Sequence, residues 1–558
     1  MSSESLRPRV LIVGSGPAGL VLALTLAKNG VPFRIIEKQE VPHQSQRGAG
    51  VQPRTQEMYK FLEVFEDIKG GSMPALPVAN YKFPGGTEIG YTTHVMPPVD
   101  PTPDIPDPNI RIIGQADAET ILRSHLSRLG IEVEFGTELI DFHQDKDEVT
   151  ANIVKHGPKD EQSRETVCVD FLVGVDGARG ITRKQLGLSF IGETASISWV
   201  IGDVFLRGLN TDYWHNWRPS DLEMVFLRPT DRDGLFQAIL SAPDPADYPQ
   251  IMSDKEFLQE FIRKATTRDD IIIDSIQTLS EYRPNIRMVN KFSEGRVFVA
   301  GDAAHVHSFT GGQGLNSSMQ DAFNLGWKLS LVCKDLSPLS LLDTYNDERF
   351  PVIRDMLART TVLFKKMLSA SKDDNEASWN RPRVLAQLGV NYRWSDILVD
   401  DQVKDLEEKA TVSNAYGAES DGKLRAGDRA PDSPGLFDTD SGKEMVLFSL
   451  FKPTHHTVLL FNPSKDECSA ILDALATWPR GTFQTVFILP KGDKVANETA
   501  DTGSSLVRLE DGEGHAYRFY RQLEDARFPV VIVRPDGVVG GIVKGAAGVK
   551  AYREKIFV

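Results

Sequence analysis

The chain has 558 residues, more than one hydrophobic core can hold, and domains of ~100–200 residues put three or four structural units in it. Hydrophobic residues make up 41% and charged residues 25%, an ordinary globular balance that excludes a fibrous or largely disordered chain. With 63 basic against 78 acidic residues the net charge is −15, which repels a phosphate backbone and excludes nucleic acid as an expected partner. Cys168, Cys333 and Cys468 make no CxxC or metal-ligand spacing, so they read as buried apolar thiols of a reducing compartment. The polar start, the short apolar run Val10 to Val13 and the want of any ~20-residue apolar stretch point to no signal peptide and no membrane partner; the expected location is the cytoplasm.

The chain opens as strand, tight turn, helix, strand: Arg9 to Val13, then Gly14-Ser-Gly16-Pro-Ala-Gly19, then an apolar helix to Lys28 capped by Gly30, then Pro32 to Glu37. Pro and Gly crowd residues 71 to 108, which disfavours helix and suggests strands and loops over a pocket. A helix is predicted from Ala116 to Leu129. Strand-like runs such as Trp199 to Val204 and Leu235 to Leu240, followed by a helix near Lys255 to Lys264, read as an inserted sheet-plus-helix unit, because Arg296 to Ala300 resumes the earlier strand pattern. Helices follow from Asn316 to Cys333 and beyond Asp343, and residues 371–424 read as a helical connection or linker. The last part alternates again: strand Thr457 to Phe461, helix Cys468 to Trp478, strand Gln484 to Leu489, and a hairpin turning at Pro535-Asp536-Gly537.

Three motifs carry chemistry. In the first, Gly14, Gly16 and Gly19 let backbone approach a diphosphate at a helix N-terminus, and Glu37, about 20 residues on, can accept ribose hydroxyls. A phosphate on that ribose would clash with Glu37, so the nucleotide held there is FAD or NAD rather than NADP. The second, Asp176-Gly-Ala-Arg-Gly-Ile-Thr-Arg183, follows the apolar strand Phe171 to Val175 and by itself is only a turn with two arginines. In the third, Asp302 ends a strand where a carboxylate can hold a ribityl hydroxyl, and the turn Gly311-Gly312-Gln313-Gly314-Leu315-Asn316 opens a helix whose N–H groups can meet an electron-rich ring edge. His305 and His307 have no third partner of ligand type, so no metal is expected.

In this order the motifs resemble those of the class A flavoprotein aromatic hydroxylases, the family of para-hydroxybenzoate hydroxylase and, nearer in length and layout, phenol hydroxylase; the resemblance spans residues 10 to 350. It implies an α/β fold: a Rossmann-like FAD-binding domain from residues 1–190 and 281–370, and an inserted β-sheet substrate domain at 191–280 to which 75–110 contribute. Residues 425–558 resemble the thioredoxin-like α/β domain of phenol hydroxylases, without the CxxC that disulfide exchange needs. The resemblance further implies that Glu37 binds the FAD ribose, that Arg47 and Gln115 contact FAD, that Asp302 binds the ribityl chain and that Leu315 and Asn316 meet the isoalloxazine. Asp176 and Arg183 would serve both FAD and the nicotinamide donor. The implied activity is hydroxylation of a phenolic or related aromatic substrate through a flavin C4a-hydroperoxide, with FAD as cofactor, NADPH or NADH docking transiently, O2 as oxidant, and a homodimer as one allowed assembly.

The chain departs from the pattern at Ala49, where phenol hydroxylase has an aspartate suited to deprotonating the phenol, at Ser308-Phe309, where relatives have proline, and at Gly180, where serine is usual. With that base missing, His215 in Tyr213-Trp-His-Asn-Trp217 is the weak candidate for a catalytic base, against the plainer reading of an aromatic cluster. Two rivals stay open: another flavin oxidoreductase, and a catalytically idle flavin-fold protein that sequesters an aromatic intermediate.

Overall fold

The computed structural model describes residues 7–83, 85–157, 162–369, 381–403, 414–417, 422–492, 506–521 and 530–558. Strand Val10–Val13 is wholly apolar and buried, and pairs in parallel with Phe33–Glu37 on one side and Phe171–Gly174 on the other. Val297–Val299 and Glu134–Phe135 extend the sheet in parallel, and Ser293–Glu294 adds an antiparallel edge. Alternate side chains point to opposite faces. Val10 and Ile12 therefore join the core with helices Pro17–Lys28 and Gly314–Cys333, while Leu11 and Val13 meet Leu139, Val149 and Ile153 of a three-stranded antiparallel sheet. Burial on both faces is why the strand carries no polar residue. Pro17 sits in the first turn of its helix, where a missing N–H is harmless, and Gly30, at a φ of 68°, supplies the left-handed residue after it.

A seven-stranded sheet is inserted into this unit, in the order Ile272–Tyr282, Trp199–Arg207, Leu235–Ser241, Met224–Pro229, Trp214–Trp217, Val78–Tyr81, Ile89–Thr93. Its last two strands come from the Pro- and Gly-rich segment, which joins Trp214–Trp217 in parallel. Helices Tyr248–Ser253 and Lys255–Thr266 cover one face, where Val200, Val204, Leu227 and Leu240 share a core with Leu258 and Ile262. The Asp254 carboxylate starts the second helix by accepting the N–H groups of Glu256 and Phe257. The opposite face looks toward the N-terminal unit.

The C-terminal part is one eight-stranded mixed sheet, in the order Val399–Asp400, Val539–Val543, Val530–Val533, His456–Phe461, Phe483–Pro490, Leu506–Asp511, Leu436–Asp438, Glu444–Met445. Helix Lys465–Leu475, started by a reciprocal Ser464–Glu467 capping box, links the parallel central pair. The expected helical connection or linker, in its described part, is a packed segment without α-helix. Residues 381–403 hold no α-helix, only the 3-10 turn Arg383–Ala386 and strand Val399–Asp400, which pairs with Val539–Val543. The segment is mostly buried and tied by backbone bonds such as Tyr392 N–H to Gly427 O, 2.8 Å, so it packs against both units rather than bridging them through solvent. Residues 370–380, 404–413 and 418–421 lie outside the described residues.

Candidate active site

A cavity of about 1980 Å³ lies between the N-terminal unit and the inner face of the inserted sheet. Single small-molecule sites are ~300–1,000 Å³, so it has room for two ligands. Its first wall is made largely of backbone. Gly14 lines it at a φ of 111°, and a Cβ there would stand 2.5 Å from Val175 O, so no other residue fits. Gly16 lines it too, and a Cβ there would meet nothing within 4 Å, so this edge of the turn faces open space. Glu37 lies alongside, its carboxylate accepting the N–H groups of Ser15 at 2.9 Å and Gln39 at 3.1 Å. Arg47, Gln115, Asp176, Asp302, Gly312, Gly314 and Leu315 complete the predicted residues that line this end. Asp176 is held by Thr182, whose N–H and hydroxyl each donate at 2.9 Å, and a side chain at Gly180 would overlap its carboxylate, which accounts for glycine there.

The second wall is the sheet, and here side chains do the shaping. Trp214, Met224, Phe226 and Ile239 give an apolar surface, with Asn216 among them. Arg228 enters from the same face and is buried. Its Nε and Nη2 donate to Gln237 Oε1 at 3.2 and 2.9 Å, while Nη1 has no partner among the described residues. Burial lowers its pKa to about 10, against the opposing pull of Asp203 and Asp231. Gln237 in turn donates to Arg47 O at 2.7 Å, and Asp203 accepts Gln46 N–H at 2.9 Å, so the polar row across the sheet fastens it to the loop of the first wall. Sequence reasoning passed over Arg228, although a lone cation in the apolar strand Met224–Pro229 was a readable signal.

Four predicted site residues do not line the cavity. Gly19 packs the Pro17 helix on its own turn, since a Cβ there would overlap Gly14 O. Arg183 is buried behind the cavity lining, donating to Ala303 O at 3.1 Å and Ala178 O at 2.7 Å and stacking on Phe190, so it ties two turns together. Asn316 is likewise buried: its amide donates to Gly50 O at 2.8 Å and Gly312 O at 2.9 Å and accepts Gln52 N–H at 2.8 Å, clamping the cavity wall from within. His215 is on the wrong face. Period-two alternation sends Trp214 and Asn216 to the cavity and His215 to the opposite side, stacked near Tyr81 and Trp217 and bonded to Tyr81 OH at 2.8 Å and Asn210 O at 2.9 Å. It cannot reach a ligand there. His305 pairs with Asp321 at 2.7 Å, away from His307, which does line the cavity. Among the described residues no group of three or more His, Cys, Asp or Glu could hold a metal.

A sequence profile described as FAD binding domain matches residues 7–360. A flavin-dependent monooxygenase of Mycobacteroides abscessus is 35% identical over 461 residues, covering 81% of this chain and 88% of that protein. The chain belongs to this family of FAD-binding monooxygenases. Pentachlorophenol 4-monooxygenase of Sphingobium chlorophenolicum is 27% identical over 558 residues, covering 96% of this chain and 94% of its own. The fold matches the flavin-dependent monooxygenase PieE solved with FAD and substrate, at a TM-score of 0.78 and 22% identity over 99% of this chain and 98% of that one. It also matches aklavinone-11 hydroxylase solved with FAD and aklavinone, at 0.76 and 22% over 100% and 99%. FAD suits the first wall on this chain's own features. The Pro17 and Gly314 helices both begin without a side-chain cap or an acidic residue in the first turn, leaving N–H groups for an anion. Asp176 Oδ1 and both ring nitrogens of His43, also at this wall, are buried without partners among the described residues. Among the described residues no helix is long and apolar enough to cross a membrane.

Proposed function

We propose that the protein hydroxylates a phenolic or related aromatic compound, taking electrons from NADH or NADPH and an oxygen atom from O2. The observation that carries this reading is one continuous cavity with a glycine-built end and an apolar, aromatic end that shares a buried guanidinium. Gly14, Gly16 and the start of the Pro17 helix would hold the FAD diphosphate, Glu37 the ribose, Arg47, Gln115 and Asp176 further polar edges, Asp302 the ribityl chain, and Gly312, Gly314 and Leu315 the ring. When bound, FAD supplies the passage of electrons from the nicotinamide to oxygen and the oxygen delivered to the substrate. The chain has no second glycine fingerprint, which supports a nicotinamide donor that visits and leaves.

The sheet wall does the rest. Trp214, Phe226, Ile239 and Met224 take the aromatic ring and keep water away. Ala49 can accept no proton, so the phenol would give its proton to water, and Arg228 would stabilise the phenolate left behind: its cation favours that form, and its Nη1 has a hydrogen bond to give to the oxygen. The C-terminal sheet supports a thioredoxin-like reading through its four central strands, with Val530–Val533 antiparallel to His456–Phe461 and Phe483–Pro490 parallel to it. Cys333 and Cys468 are buried as expected, Cys168 is exposed against that expectation, and the three free thiols support a reducing, cytoplasmic setting. The test is to incubate the purified protein with FAD, NADH or NADPH, labelled O2 and a panel of phenols and benzoates. The reading expects substrate-stimulated nicotinamide oxidation and one labelled oxygen in the product by mass spectrometry. Bound FAD with no turnover on the whole panel would favour sequestration instead.

A further inference from the structure

The C-terminal hairpin carries a turn, Arg534-Pro535-Asp536-Gly537, whose two charged side chains are buried against the N-terminal unit. Arg534 donates to both oxygens of Glu348 at 2.7 and 2.9 Å and to Asp536 Oδ1 at 3.1 Å. Glu348 also accepts Lys328 Nζ at 2.9 Å and Asn324 Nδ2 at 2.7 Å, and Asp536 Oδ2 accepts Trp327 Nε1 at 3.2 Å. Asn324, Trp327 and Lys328 all belong to the Gly314 helix. On its other side the turn meets helix Pro53–Phe61: Arg54 Nη2 donates to Asp536 O at 2.9 Å, and Gly537, at a φ of 71°, lies so close to the Phe61 ring that a Cβ would overlap it.

Each of these helices begins at the cavity, since Gln52, just ahead of Pro53, and Gly314 both line it. Arg54 is two residues from Gln52, which lines the cavity, and Gln52 N–H is clamped to Asn316 Oδ1 at 2.8 Å. Gly314 and Leu315 line the cavity at the head of the other helix. A packed apolar contact tolerates small slides. A buried cluster of two cations and two carboxylates does not, because each displaced charge loses its only compensation for leaving water. We propose that the Arg534–Gly537 turn is a positioning element for the flavin seat, setting the Pro53 and Gly314 helices against each other so that the Gln52 and Leu315 ends of the wall stay in register. This gives the C-terminal unit a task in the reaction without a reactive group of its own. The inference rests on that wall being the place where FAD sits.

The experiment measures FAD affinity and the shape of the bound-flavin absorption band for the full chain, for Asp536→Asn and Gly537→Ala, and for a control, Val486→Ala, in the core of the C-terminal sheet away from the turn. The expected result is at least a tenfold rise in Kd and a changed band for both turn variants, at a temperature where their circular dichroism matches the unaltered chain. The control lowers the melting temperature yet keeps Kd within twofold and the band unchanged. If Asp536→Asn does not fold, Gly537→Ala, which leaves every charge in place, decides. Unchanged affinity and band in the turn variants, or an equal change in the control, overturns the proposal. An unaltered chain that binds no FAD overturns the flavin seat itself, a separate outcome.

Discussion

The two walls of the cavity face the same space and are made of different material. The first is backbone: glycines, helix starts and a few carboxylates, shaped by local turn geometry. The second is side chains on alternate positions of a sheet, where Trp214, Phe226 and Arg228 owe their place to which face of the strand was turned inward. A backbone wall has one use and few tolerated substitutions. A side-chain wall can be changed residue by residue while the sheet stays intact, so ligand choice belongs there.

Substitutions can break this contrast. The largest effect should come from Gly14→Ala, which sets a Cβ 2.5 Å from Val175 O at a φ of 111°. Strain of this kind predicts FAD binding weaker by about 100-fold, read as a colourless protein and by flavin titration. Retention of normal FAD affinity would mean the first wall is not built on that turn. Next, Arg228→Met should leave FAD content intact but lower kcat/KM on a phenol roughly 10- to 100-fold, the range for a lost hydrogen bond from a charged group. Its rate should recover toward alkaline pH, where the phenol ionises unaided. A pH profile unchanged from that of the unaltered chain would refute the role given to the guanidinium.

Smaller effects sharpen the line between the walls and their supports. Asn316→Ala removes a clamp that holds Gly50, Gln52 and Gly312, and should cost about 2 kcal/mol of unfolding free energy by denaturant titration, because buried partners are left unpaired. The smallest change is expected at His215. His215→Phe should keep kcat within about twofold, as a residue off the cavity must, and cost about 1 kcal/mol through the partners left at Tyr81 and Asn210. Burial lowers the pKa of folded His215, so below its ordinary value of 6.5 the unfolded chain takes a proton that the folded chain resists, and stability falls as pH drops. His215→Phe should flatten that slope. A large loss of turnover instead would return the histidine to the reaction.

Several features were legible because they are short-range. The glycine turn after Val13, the strand ending at Glu37 and the glycines opening the Gly314 helix are each specified by a handful of consecutive residues, and the helix predicted from Ala116 to Leu129 runs Gln115–Arg128. Two side chains among the expected site residues turn away from the cavity for another reason. Arg183 and Asn316 sit among site residues in sequence, yet their side chains turn inward to satisfy carbonyls, because buried polar groups without partners are costly. Residues 371–424 read as a helical connection or linker, but described residues 381–403 form no α-helix; they are pinned by contacts to Gly427 and Val95 that no local pattern announces.

The amino-acid sequence alone determined a dinucleotide-type turn with carboxylates at nearby strand ends, since its glycines, cap positions and strand ends act through backbone geometry within a few residues. Only the tertiary structure decided which side of the inserted sheet meets the ligand, that Arg228 rather than His215 stands there, and that a C-terminal turn reaches the helices behind the first wall. Those facts depend on the packing of segments far apart in sequence, and a pleated strand hides one side chain as readily as it presents the next.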